Sequence, residues 1–166
     1  MDPVLLSLIC NAFVNPNSSL GLITNCTPDL SNSVLLLMKF TIVVYAAPYS
    51  SQAAATAFNF SKTLLSEGHE IYRLFFFSDG AHNTNKLARV PQGETNLQAS
   101  WDDLIRDYDL DSAVCVSSAI KRGIVDKQEA ERHELSAVSL FESSDIAGLG
   151  QLIDAAINSD RLLNFG

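Results

Sequence analysis

Cysteine is scarce in this chain. The three present, Cys10, Cys26 and Cys115, form no C-x-x-C pair. So sparse and odd a set argues against a disulfide framework and points to a reducing compartment. A thioredoxin-like dithiol is disfavoured for the same reason, since no second cysteine lies close enough to resolve a disulfide. His69, His82 and His133 are scattered, with no zinc-ligand spacing to any cysteine, so no metal or other cofactor is expected. Basic residues are also few. Eleven Lys and Arg stand against nineteen Asp and Glu, a net charge of −8. A broad basic face for nucleic acid is thereby excluded, and no direct tRNA binding is expected. Long apolar runs are missing too. The run VLLL that precedes Met38 meets Lys39 almost at once, too short a stretch to span a membrane.

What remains is a globular composition. Apolar residues make up 47% of the 166 and charged residues 18%, enough for one domain with a real core. The character changes at Met38. Residues 1–37 hold no Lys or Arg and only Asp2 and Asp29 as acids, and they are rich in Asn, Ser and Pro. With no basic residue they make a poor secretory signal or transit peptide. They are read as an N-terminal extension, either a disordered tail or the product of a start codon assigned upstream of Met38. The domain is expected over residues 38–166.

From Met38 the pattern is α/β. FTIVVY, residues 40–45, is a continuous apolar run of strand length, as a strand covered on both faces requires. A helix is predicted over 53–66, with Ala54, Ala57, Phe58, Ser61 and Leu65 on one stripe and Gly68 as its stop. A second strand is predicted over 71–77 (IYRLFFF), followed by a turn-rich loop, SDGAHNTNK. Leu97, Trp101, Leu104, Ile105 and Tyr108 mark a second helix. A third strand is expected over 113–116. Asp126 and Glu129 then fit a capping box that opens a short helix. A fourth strand is expected over 137–141, a long helix over 145–158 and a last strand over 161–165. Alternating strands and helices imply a single three-layer domain, with a mainly parallel sheet of about five strands flanked by helices.

Open parallel sheets bind at the carboxyl ends of their strands. Three loops are therefore candidates: 46–52, 78–86 and 115–121. The first, AAPYSSQ, lacks the glycines that a phosphate-binding turn needs, so flavin and dinucleotide binding are disfavoured. His82 in the second reads as a solvated loop histidine. The third carries Cys115. Taken alone, a cysteine in AVCV reads as core filler. Here it lies near the end of its strand, where a helix capped by Ser117 and Ser118 would start close to the sulfur. Lys121 and Arg122 follow. A helix N-terminus and nearby cations would lower the thiol pKa, and a single thiolate can accept and pass on sulfur as a persulfide. Phe75–Phe77 and Trp101 are candidates for a partner surface.

The stretches MKFTIVV, AFNFSKTLLSEGHEI, RLFFFSDGAHNTN, VCVSSAIKRGIVD and GLGQLIDAAINSDRLLNF carry a resemblance. The chain resembles the DsrE-like sulfur-relay proteins, and within them the TusD branch of the TusBCD system of tRNA 2-thiouridine synthesis, from Met38 to Gly166. The resemblance places the family's active cysteine on Cys115 and implies a flavodoxin-like topology. It further implies TusB-like and TusC-like companions in a dimer of heterotrimers, a TusA-like sulfur donor, a TusE-like acceptor and a cytoplasmic location. Two other readings stand beside it: a DsrE-type subunit of sulfur oxidation, and a non-catalytic scaffold subunit.

Overall fold

The computed structural model describes residues 37–166. The expectation of an extension over residues 1–37 lies outside them, Leu37 apart. Strand β1 (Lys39–Val44) leads into helix α1 (Ala53–Ser66) and strand β2 (Glu70–Phe76). A 3-10 helix (Ser78–Thr84) and helix α2 (Leu97–Asp107) follow. Next come β3 (Ser112–Cys115), α3 (Val116–Ile120) and α4 (Lys127–Arg132). Strand β4 (Asp145–Ala147), helix α5 (Leu149–Asn158) and β5 (Arg161–Phe165) complete the domain.

All five strands are parallel, in the order β4-β3-β2-β1-β5. The chain steps outward from β1 to β4 and then returns to add β5 on the free edge of β1. Right-handed crossovers put the helices of the outward steps on one face and that of the return on the other. The three layers expected from sequence follow from this. The order differs from the flavodoxin order 2-1-3-4-5, since β5 takes the place beside β1 that β2 holds there.

Strand alternation divides the apolar residues. Ile42, Val44, Leu74, Phe76 and Val114 face α1 and α2 in the larger core, which also holds Trp101, Leu104 and Ile105. Val43, Phe75, Ala113 and Cys115 face the other way, toward Leu152 of α5. That second face has one helix to cover it. Arg73, itself buried, fastens this helix by donating from Nη1 to the Gln151 carbonyl at 2.6 Å and to Asp154 at 3.1 Å. The outer side of α5 leaves Leu149, Ile153 and Ile157 exposed.

Several elements stand where the pattern put them. Helix α1 spans 53–66 and ends in a Schellman turn, with Gly68 at φ +83° and His69 N–H bonded to the Leu64 carbonyl. Asp126 caps α4 by accepting from the Glu129 amide at 2.7 Å. Elsewhere the structure differs. Residues 137–141 form no strand; Leu140 makes a single bridge to Asn85. The fourth strand is Asp145–Ala147, inside the segment read as the start of the last helix, and α5 begins only at Leu149. Pairing with β3 places Asp145–Ala147 at the sheet edge and so overrides the helix expected from residue 145. The loop after β2 winds into a 3-10 helix whose Gly80, Ala81, Asn83 and Thr84 are buried. Phe75, Phe76 and Trp101 are core residues, at most 1% exposed, so no partner can touch them; Phe77 alone of that set reaches the surface region.

Gly80 is required where the 3-10 helix crosses β1, because a Cβ there would overlap the Val44 carbonyl. Gly80→Ala is expected to cost about 2 kcal/mol or more in urea unfolding. Gly150→Ala, in open space on α5, should be neutral or stabilise by about 0.5 kcal/mol.

Candidate functional site

Cys115 is the last residue of β3, paired with Ala147 of β4, and α3 begins at the next residue. Sequence placed the strand end one residue later, at Val116, and gave the capping role to the serines. In the structure Cys115 itself is the N-cap residue, with no side-chain capping bond. The serines are inside the first turn and serve the sulfur instead. Ser117 Oγ lies 3.3 Å from Cys115 Sγ. Ser118 is buried, and its hydroxyl accepts from the Ser78 amide at 2.9 Å.

The thiol is 1% exposed. Burial pushes its pKa up, because a thiolate loses hydration there. The hydroxyl of Ser117 and the amide and hydroxyl of Ser118 oppose this, joined by the Ser117 amide, and the net result is a lowered pKa. Polar groups near the charged form, the Ser117 hydroxyl first among them, thus outweigh desolvation. A helix of five residues has too little macrodipole to carry the effect by itself.

A pocket of about 230 Å³ next to the two serines is lined by Phe77, Ser78, Ser117, Ser118, Lys121 and Arg122, and Cys115 is not on its wall. All four residues expected around the thiol line this pocket. Arg122 is engaged: its Nε and Nη2 donate to Asp79 Oδ1 at 2.9 and 2.6 Å, and its Nη1 to the Ser118 carbonyl at 3.2 Å. Lys121 is exposed and makes no ion pair among the described residues. Asp79 read as a turn residue and Ser78 as loop. Their meeting with Arg122 and Ser118 across some forty positions left no mark in the local pattern.

The other two loops carry less. A larger cavity of about 520 Å³ lies between Tyr49–Gln52 and Glu94–Leu97, and it contains no thiol or histidine. His82 lies on the 3-10 helix, and no hydrogen bond joins it to Cys115. Among the described residues there is no cluster of potential metal ligands.

The sequence of the DsrE/DsrF-like family matches residues 38–165. The chain belongs to that family. It is 43% identical over 129 residues to a protein of Allochromatium vinosum named sulfurtransferase DsrE, covering 78% of this chain and 99% of that one. A sulfurtransferase TusD homolog of Pseudomonas aeruginosa is 41% identical over the same length, covering 78% and 98%. The crystal structure of the YchN protein of Escherichia coli shares the fold, with a TM-score of 0.63 at 21% identity, covering 78% of this chain and all of that one. The activity class of this chain is sulfur transfer.

Removing the Ser117 hydroxyl takes away a hydrogen bond that favours the thiolate. Ser117→Ala is therefore expected to raise the pH midpoint of Cys115 alkylation and to slow the reaction at pH 7 by about fivefold.

Proposed function

We propose that Cys115 carries sulfur as a persulfide between two partner proteins. The observation that supports this most is a buried thiol whose pKa is nonetheless lowered by the serines after it. The Cys115 thiolate attacks the outer sulfur of a donor persulfide. The bond between the donor's two sulfurs breaks, and the donor cysteine leaves as thiolate. An acceptor thiolate then attacks the outer sulfur on Cys115, takes it with its proton, and returns Cys115 as thiolate. No oxidant or reductant is consumed. The hydroxyls of Ser117 and Ser118 stabilise the anion before and after transfer, and Lys121 at the rim of the pocket attracts the anionic persulfide.

Since the sulfur is covered, transfer needs a local opening. Ser117, exposed and 3.3 Å from the sulfur, is the neighbour through which we place that opening. Within the family the reading favoured is TusD-like. A TusA-like protein donates and a TusE-like protein accepts, TusB-like and TusC-like subunits complete a dimer of heterotrimers in the cytoplasm, and the sulfur ends in tRNA 2-thiouridine. The exposed Leu149, Ile153 and Ile157 support life in an assembly. No described helix is long and apolar enough to cross a membrane. The rival is a DsrE-type subunit of sulfur oxidation, supported by the 43% identity to the Allochromatium protein.

The full chain, incubated with a carrier protein bearing a persulfide, is expected to gain one sulfur on the Cys115 peptide by mass spectrometry. Cys115→Ser should gain none there and pass none on. A Cys115→Ser chain that still supports relay would establish the scaffold reading. Loss of 2-thiouridine from tRNA in a deletion strain is the outcome for the TusD-like role, and retention with loss of sulfur oxidation is the outcome for the rival.

A further inference from the structure

Two segments distant in sequence meet next to the turn that follows the thiol. Ser78 and Asp79 follow β2, Ser118 is inside α3, and Arg122 follows α3. Ser78 holds φ +50°, a left-handed conformation that costs a serine energy and persists only where its surroundings enforce it. In that conformation its amide donates to Ser118 Oγ. A hydroxyl that accepts there has its own proton left to donate, and the Ser118 hydroxyl is among the groups that lower the Cys115 pKa. Arg122 holds the two sides together. It grips Asp79 with two nitrogens, bonds Ser78 Oγ at 3.4 Å, and donates to the Ser118 carbonyl.

We propose that Asp79 and Arg122 are positioning residues for sulfur transfer: their ion pair clips the Ser78 amide onto Ser118 and so fixes the Ser118 hydroxyl in the first turn of α3, three residues after Cys115. Arg122 thereby acts through Ser118 and not as a cation facing the thiol. The charged groups and histidine on the elements around Cys115 are Asp79 and His82 on the 3-10 helix, Glu70 and Arg73 on β2, Lys121 and Arg122 after α3, Asp145 on β4, and Asp154 on α5, which is paired with Arg73. The role of the clip separates from a through-space charge effect by sign. Neutralising Asp79 removes a negative charge, which by itself would lower the thiol midpoint; loss of the clip raises it.

The inference rests on Cys115 as the working thiol, and the experiment keeps the two apart. Iodoacetamide alkylation of the full chain is followed on the Cys115 peptide from about pH 5 to pH 10. An opening step that does not depend on pH scales these rates without moving their midpoint. Asp79→Asn is expected to raise the midpoint and to slow alkylation at pH 7 by about three- to tenfold. Arg122→Lys keeps the charge but loses the fork, so it should act in the same direction. In a Ser118→Ala chain, Asp79→Asn should add no further shift, the mark of residues that work through one another. A low wild-type midpoint left unmoved or lowered in both variants overturns the positioning role alone, as does a full additional shift in the Ser118→Ala chain. A wild-type midpoint in the ordinary cysteine range overturns both this inference and the persulfide reading.

Discussion

The rest of the site depends on a strand that turns into a helix with no loop between them. Strand β3 ends on Cys115 because its pairing with β4 ends there, at Cys115 and Ala147. Helix α3 starts at Val116, so Ser117 and Ser118 fall in the turn that follows the sulfur, with the Ser117 hydroxyl 3.3 Å from it. A connection longer by one residue would carry those groups away and leave a buried cysteine with burial alone acting on it. Burial alone raises a thiol pKa and makes the sulfur inert.

The sheet supplies the platform for this turn. Each of β1, β2 and β3 is buried on both faces, and the carboxyl ends of β2 and β3 sit side by side. That adjacency brings the start of the 3-10 helix against α3, where Ser78 meets Ser118. The same winding that puts three crossovers on one face leaves α5 to cover the other. The consequence is a thin layer there, held by Arg73, with an apolar stripe turned outward. One topological fact therefore accounts for both the site and the exposed surface.

Much of this could be read from the residues. Apolar runs of strand length, the stripe on α1, Gly68 and the Asp126 cap each encode their element locally, and each falls within a residue or so of its predicted place. The position of Cys115 near a strand end was legible for the same reason, and so was the closeness of Ser117 to the sulfur. What failed was decided by tertiary pairing. The short edge strand Asp145–Ala147 owes its existence to β3 and falls where a helix was expected. The 3-10 helix holds turn residues that are buried because β1 passes beneath Gly80. The engagement of Arg122 with Asp79 depends on two loops meeting across the sheet, which no local spacing records.

The central claim is that the fold makes this thiol more acidic despite hiding it from water. It is tested most directly by titrating Cys115 in the folded chain and in the same chain unfolded in urea. A lower midpoint in the folded chain, against one near about 8.5 in urea, is the result expected. A folded midpoint equal to or above the unfolded one would contradict the account.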